Sequence, residues 1–403
     1  MARYPGYAPE FRIAINGERI PAALRASVMS VTLQDGIEGA DRVEITLANG
    51  LQWLDHPLLR VDNGLTLALG YAPGPLEEMF VGEITGVNAS FPAAGAPTVT
   101  VVAHDFLNRT TRGTADRAFM LSLPCIGAFP LPDPAVAAIV SATNLLIPAL
   151  DPVGAALSFL TSLVSFAIDP IEARKAVRIQ QQQSDFDFLS KIARDNGWEM
   201  YIDHTLEPRG YVLRFSFLVQ DYTPAVVLKW GESLIEFTPR ISTVGQVIGV
   251  STRIWISSIK TELVIVLGWD YDRAAFDLKV FPGIGSLDML LGKTAAQSVV
   301  RVDAVGPATA AQSLLSELLP RLNNRLTGSG SAAGNPRIRA GKVIGFEGLG
   351  SEFSGSYRVT SATHTIDGSG YRTSFEGRKE VWFGSVPLPK GVSGLARVQG
   401  VRV

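Results

Sequence analysis

The side chains best suited to chemistry in this sequence are four histidines, one cysteine and 38 acidic residues. His56, His104, His204 and His364 stand far apart, and no His-Glu-x-x-His pair sets two imidazoles on one helix face. Cys125 is the single thiol, so it forms no internal disulfide and no paired-cysteine metal clamp. No acidic run has calcium-loop spacing. The sequence therefore announces no metal and no cofactor. His104-Asp105 is the best local acid–base pair. It ends an alternating segment, where an aspartate that caps the next turn is the simpler role. Gly292-Lys293-Thr294 resembles the end of a phosphate-binding loop, but Leu287 stands where the loop requires its first glycine. Gly348-Leu349-Gly350 opens like a dinucleotide fingerprint, yet Phe353 replaces the third glycine and strands flank it on both sides. There is no Gly-x-Ser-x-Gly elbow. A carboxylate pair for glycoside hydrolysis is not fixed by spacing, and nothing in the sequence marks one. With 36 basic against 38 acidic residues the net charge is −2, so no basic excess holds a nucleic-acid backbone. These residues point to packing and assembly, not to an enzyme.

The 403 residues suit two to four domains, and 46% hydrophobic content supplies their cores. Phe11 to Ile15, Val28 to Leu33, Arg42 to Leu47, Leu65 to Leu69, Met79 to Val87 and Thr98 to Ala103 read as six short strands. Asn16-Gly17 predicts a tight hairpin after the first. Such spacing suggests a small closed barrel or sandwich. Residues 116–175 break the pattern. Between Asp133 and Asp169 the only charge is Asp151. Pro134 to Leu150 and Pro152 to Ile168 are apolar stretches that predict two buried helices or a helical hairpin. Each would be ~24 Å long as a helix, short of a ~30 Å bilayer core, and Pro148 and Pro152 oppose one continuous span.

Ser184 is placed to cap a helix through the amide of Asp187, and Asp185 and Asp187 suit its positive end. Phe188, Leu189, Ile192 and Ala193 form its apolar stripe, and Gly197 ends it. Trp198 to Ile202 and Tyr211 to Phe217 follow as strands. Strands return at Val226 to Trp230, Val247 to Ile256 and Leu263 to Leu267. Helical stretches are expected at Thr294 to Val302 and Ala308 to Leu326, with Pro320 against one straight helix. Thr327 to Gly334 reads as a flexible loop. Lys342 to Phe346, Ser356 to His364 and Tyr371 to Glu376 are the last strands. Trp198, Trp230, Trp255 and Trp269 are expected in cores, and Arg358, Arg372, Arg378 and Lys379 along a solvated face or else a partner-facing or lumen-facing stripe.

Several strings then resemble one family. Gln182-Gln183-Ser184-Asp185-Phe186-Asp187-Phe188-Leu189, with Ile192-Ala193 and Gly197-Trp198-Glu199, is similar to an element of phage late control D proteins and VgrG spikes. So are Leu228 to Leu234 with Phe237-Thr238-Pro239, and Gly334-Asn335-Pro336 through Gly341. Gly348-Leu349-Gly350, Phe353 to Thr360, His364, Gly370-Tyr371 and Thr373-Ser374-Phe375 complete the resemblance, with Gly82 to Thr85 and Ala103-His104-Asp105 near the N-terminus. It spans about residues 10–380.

What the resemblance implies is a baseplate hub of a contractile injection system, of the myophage type. The implied fold is β-rich α+β, with two tube-protein-like β-barrel domains and α/β insertions. The first barrel is expected at 1–115, a helical and α/β insertion at 116–222, the second barrel at 223–382 and a linker or spike-docking arm at 383–403. The implied function is structural: a homotrimer that adapts the hexameric inner tube to the trimeric spike, with other baseplate components as further partners and no sequence-specific nucleic-acid recognition. Gly350, Phe353, Gly355 and Tyr357 are expected to shape the last hairpin. Pro387, Pro389, Leu395 and Val398 are the expected spike contacts. VgrG chains continue into a needle while this one stops at Val403, so either the spike is a separate polypeptide or the chain ends just short of that domain. Met1 to Gly6 lacks a signal-peptide core, which predicts cytoplasmic assembly into a virion baseplate or an injection particle. Two alternatives stay open: a cell-wall hydrolase at the tip, and a hub that engages membrane through residues 134–168.

Overall fold

The computed structural model describes residues 8–48, 50–123, 127–152, 154–156, 158–159, 177–217, 223–241, 249–256, 260–270, 275–282, 299–301 and 307–380. Period-two alternation builds the N-terminal lobe from β1 (Ala8–Ile15), β2 (Glu18–Arg19), β3 (Val28–Gly36), β4 (Arg42–Leu47), β5 (Gly64–Ala72), β6 (Glu77–Ser90) and β7 (Thr98–Asp105). The β1–β2 hairpin turns on Asn16 and Gly17, both at positive φ, as its residue pair predicts. Ile13, Val31, Leu33, Val43, Leu67 and Phe80 point inward to a single core.

The insertion follows with β8 (Ala115–Leu123), β9 (Gly127–Pro130), helix α1 (Asp133–Thr143), β10 (Ile147–Leu150), β11 (Arg178–Gln183), helix α2 (Asp185–Asn196), β12 (Glu199–Ile202) and β13 (Val212–Ser216). Of the two expected apolar helices, the first is α1 followed by strand β10, which pairs in parallel with β13. Pro148 sits within that strand, and Leu145 at φ 60° turns the chain out of the helix. Residues 160–168 of the second stretch lie outside the described residues. Helix α2 matches its sequence signals: Ser184 Oγ accepts from the Asp187 amide at 3.0 Å, and Gly197 ends the helix at φ 66°. Its stripe of Phe188, Leu189, Ile192 and Ala193 is buried with Val136 and Val140 of α1.

The C-terminal part contains β14 (Val226–Lys229), β15 (Leu234–Ile241), β16 (Gly249–Ile256), β17 (Thr261–Asp270), β18 (Ala275–Pro282), β19 (Val299–Arg301), helix α3 (Pro307–Asn323), β20 (Leu326–Ala333), β21 (Val343–Glu347), β22 (Gly355–Asp367) and β23 (Gly370–Arg378). Strands β16 to β19 form a separate four-stranded sheet. Residues 299–301, expected to be helical, instead run parallel to β16. Helix α3 continues through Pro320 as one element.

The expected loop at 327–334 is strand β20, paired with β15 on one side and β23 on the other. Its glycines are a packing requirement. A Cβ at Gly328 would lie 2.5 Å from the Phe237 ring, and one at Gly330 would lie 2.9 Å from Phe375. The aromatic rings occupy the space that side chains would take.

The fold is β-rich α+β. Among the described residues no sheet closes on itself, which corrects the expectation of two closed barrels. The strands instead join one 13-stranded sheet. The cause is β22: its first residues pair with β21, and Ser361 to Ile366 pair with β3 of the N-terminal lobe. The curled sheet is drawn together where the Tyr71 hydroxyl donates to the Gly334 carbonyl at 3.0 Å and the Tyr71 and Tyr371 rings pack 5.6 Å apart.

At Gly334 a Cβ would sit 2.0 Å from the Tyr371 ring, whereas Gly86 has open space. Gly334→Ala is expected to lower stability by about 1–3 kcal/mol, as overpacking does. Gly86→Ala should change it by less than about 1 kcal/mol. Urea unfolding of both variants checks this, and equal midpoints would refute the seam.

Candidate assembly surfaces and the buried junctions

The most tightly packed polar residues lie where the two lobes meet the insertion. Arg339, on the loop between β20 and β21, hydrogen-bonds through Nε to Asp35 of β3, both side chains being buried. Asp41, at the start of β4, accepts from the Gly36 amide through Oδ1 at 3.0 Å. Its own amide donates to Asp105 Oδ2 at 3.0 Å, and the Asp105 amide donates back to the Asp41 carbonyl at 3.1 Å. Asp105 Oδ1 accepts from the Leu107 amide at 3.0 Å and so caps the short helical turn 106–111. This is the capping role that its place at a strand end predicts. His204, after β12, enters the same cluster with Nε2 3.2 Å from Asp41 Oδ2. Burial pushes Asp35 up to about 6 despite the opposing Arg339, and Asp41 up to about 7. Burial also raises Asp105 and depresses His204 to about 3.

A second buried cluster joins the insertion to the last hairpin. Arg358 of β22 reaches Glu199 of β12 at 2.6 Å and Glu380 at 3.2 Å, and Arg378 reaches Glu199 at 2.5 Å and Glu380 at 2.9 Å. The expected solvated stripe is thus corrected. Only Arg372 of its four members is exposed: the alternation of β23 turns Arg372 out, while Arg358 on β22 and Lys379 just after β23 are buried. His364 is a satisfied core residue: Nε2–H donates to the Ile338 carbonyl at 2.9 Å, and Tyr371 lies 2.9 Å from Nδ1. His104, half-buried near the end of β7 between β4 and β6, has Nδ1 2.7 Å from the Thr85 hydroxyl.

The turn between β21 and β22 and the first residues of β22 carry the residues expected to shape the last hairpin. Gly350 at φ 77° and Gly355 at φ 113° hold left-handed backbone that a Cβ opposes. Phe353 is half-buried against the second core. Tyr357 is fully buried, and its hydroxyl donates to the Phe353 carbonyl at 2.9 Å. Lys379 clamps this turn from the end of β23, donating to the carbonyls of Ser354 at 2.8 Å and Glu352 at 3.3 Å. Pro387, Pro389, Leu395 and Val398 lie outside the described residues, as do Cys125 and residues 383–403.

Two groups among the exposed apolar residues bear on assembly. Beside the clamped turn, Val227, Trp230 and Ile235 are exposed, Trp230 by 62%. Trp255 is exposed as well, so of the four tryptophans expected in cores only Trp198 is described as buried. The Trp269 side chain is not described. On the insertion, Ile139, Leu145, Ile147 and Phe159 are exposed. Among the described residues no helix is long and apolar enough to cross a membrane. A cleft of about 1350 Å³ opens between α2, α3 and the strand ends, lined by Lys191, Arg194, Glu199, Arg240, Glu317 and Arg378. Its mixed charges suit a polar protein segment better than a small apolar ligand.

The arrangement resembles known tail proteins. The 43 kDa tail protein of prophage MuSo2 from Shewanella oneidensis matches with a TM-score of 0.59 at 11% identity, over 92% of this chain and 98% of that one. The tail protein from Neisseria meningitidis MC58 matches with 0.60 at 11% identity, over 94% and 100%. The E. coli c3393 protein is described as a component of the type VI secretion system with structural similarity to T4 bacteriophage tail proteins gp27 and gp5. It matches with 0.54 at 11% identity, over 94% and 77%. At such identity the likeness establishes a tail-protein fold along most of the chain. No protein of curated function matches the sequence. The family model described as the Alg8 N-terminal domain matches residues 160–368, just over half of the chain, and the chain belongs to that family.

The Arg358 cluster yields a test. Burial alone would raise the Glu199 carboxyl, but the Arg358 and Arg378 guanidinia outweigh it and hold it below its ordinary 4.5. Its contribution is therefore complete above that value and lost as pH falls through the lower folded value. Unfolding midpoints should fall on acidification below about pH 4.5. Arg358→Leu should cost about 3–5 kcal/mol at neutral pH and flatten that acid limb. Denaturant titrations at several pH values measure both, and an unchanged acid limb in the variant would count against the cluster.

Proposed function

We propose that the chain is a structural baseplate hub of a contractile tail or injection system, a homotrimer that joins the hexameric inner tube to the trimeric spike. The observation that carries this reading is the likeness of nearly the whole chain to tail proteins of similar length. The two cores of the large sheet are read as two tube-subunit-like lobes per chain. Three copies then offer six lobes to a six-fold ring, the symmetry match that a duplicated subunit provides. The likeness to the E. coli c3393 protein, a secretion-system component that itself resembles phage tail proteins, supports an injection machine.

The exposed apolar residues suit subunit contacts. Ile139, Leu145, Ile147 and Phe159 are exposed on the single chain, and an assembly that covers them removes their cost in water. Glu380, the last described residue, follows Lys379, which clamps the turn that packs beside Trp230. The described residues therefore end near an exposed aromatic edge, and residues 383–403 follow in sequence. We assign spike contact to this arm, with Pro387, Pro389, Leu395 and Val398 as its candidate residues. The two prolines limit its freedom and so reduce the ordering cost of docking.

Native mass measurement of the purified chain, alone and with its spike, should give a trimer. A monomer under both conditions would overturn the proposal. Removal of residues 383–403 should release the spike and leave the trimer intact; loss of the trimer would place the arm in the subunit interface instead.

A further inference from the structure

Two buried carboxylates in the lobe–insertion junction have no cation of their own. Arg339 hydrogen-bonds to Asp35 and also lies close enough to favour the Asp41 anion, whereas Asp41 and Asp105 are held beside each other by the backbone and, among the described residues, form no ion pair with an arginine or lysine. Into this pair projects His204, with a side chain only 1% exposed. Both of its ring nitrogens lack a hydrogen-bond partner, and so does Asp41 Oδ2. Such orphaned polar atoms in a dry interior are costly unless something satisfies them.

The spacing indicates what that is. One ligand atom each from Asp41, Asp105 and His204 lies within 4.8 Å of the others. His204 Nε2 and Asp41 Oδ2 are 3.2 Å apart, with no hydrogen bond formed. Two ligands at about 2.0 Å from a tetrahedral ion stand about 3.3 Å from each other. The carboxylates are already oriented as metal ligands usually are: Asp105 accepts amide hydrogens on both oxygens, and Asp41 accepts from Gly36 on the oxygen turned away from His204. An imidazole among the donors disfavours calcium or magnesium, which take oxygen ligands. One nitrogen and two carboxylates suit zinc or a neighbouring first-row ion.

We propose that Asp41, Asp105 and His204 form a buried structural site for a first-row divalent cation, zinc best fitting the donor set. Such an ion ties the end of β7, the start of β4 and the loop after β12 to one point. It thereby fastens the insertion to the N-terminal lobe. The inference is independent of the hub reading.

The test uses the full chain. After exhaustive dialysis against EDTA the protein is reloaded with zinc, gel-filtered and assayed for metal, and in parallel titrated with cobalt. One zinc per chain, a visible cobalt band of tetrahedral type that saturates at one equivalent, and a higher melting temperature with zinc are expected. His204→Gln and Asp41→Asn should weaken zinc binding by more than the about 10–100-fold that loss of an outer-shell partner costs. If a variant does not fold, the cobalt spectrum of the unaltered chain decides alone. Failure of that chain to retain metal or show the band overturns the site. So does equal metal retention by His204→Gln and the unaltered chain, since binding would then lie elsewhere.

Discussion

Strand β22 spends its hydrogen bonds on both halves of the molecule. Gly355 to Arg358 pair with β21, Ser361 to Ile366 pair with β3, and its other edge is zipped to β23. Its side chains are divided in the same way: Val359 and Ala362 enter the C-terminal core, and Ile366 enters the N-terminal one. Neither lobe can separate from the other without breaking a ladder and exposing a core. Packed interiors are stiff, so the two lobes hold one fixed relation. The hub proposed above needs that property, since any play between its lobes would spoil the register with a ring.

Apolar contacts with Phe106, Leu107 and Val81 seat the insertion on this frame, and buried charge adds a second constraint. Glu199, Arg358, Arg378 and Glu380 balance two cations against two anions away from water. A buried ion pair adds little net stability over well-packed apolar residues, yet breaking one is expensive. Its effect is therefore selective: alternative placements of β12 against β22 would strand a charge and are excluded. Arg339 and Asp35 act likewise between residues 304 positions apart in sequence.

Features that depend on neighbours in sequence were legible in it. The Ser184 cap, the Gly197 stop, the Asn16-Gly17 turn and the strands of the N-terminal lobe each carry their cause within a few residues. Strand β20 was not legible, because its Gly, Ser and Ala composition answers to Phe237 and Phe375, which reach it from other strands. The stripe of Arg358, Arg378 and Lys379 was misread for the same reason. Basic residues on late strands look solvated until Glu199, far upstream, is placed beside them. The Asp41, Asp105 and His204 grouping had no spacing to give it away, since metal motifs are recognised when two ligands share one turn or helix. The paired backbone bonds of Asp41 and Asp105 belong to the sheet, and only the insertion brings His204 to them.

The apolar richness of the insertion has a physical consequence of its own. Helix α1 buries Val136, Ala137 and Val140 yet leaves Ile139 exposed, and Leu145 and Ile147 continue the exposed surface beyond it. A helix with apolar residues on more than one face is at rest only when each such face is covered. Helix α1 is too short to span a bilayer. In the trimer proposed above a neighbouring protein surface covers the excess. In a cyclic assembly every copy offers the same patch, and a modest apolar area is covered once per subunit. The residues that made this segment anomalous as part of a single chain are then in place as part of a ring.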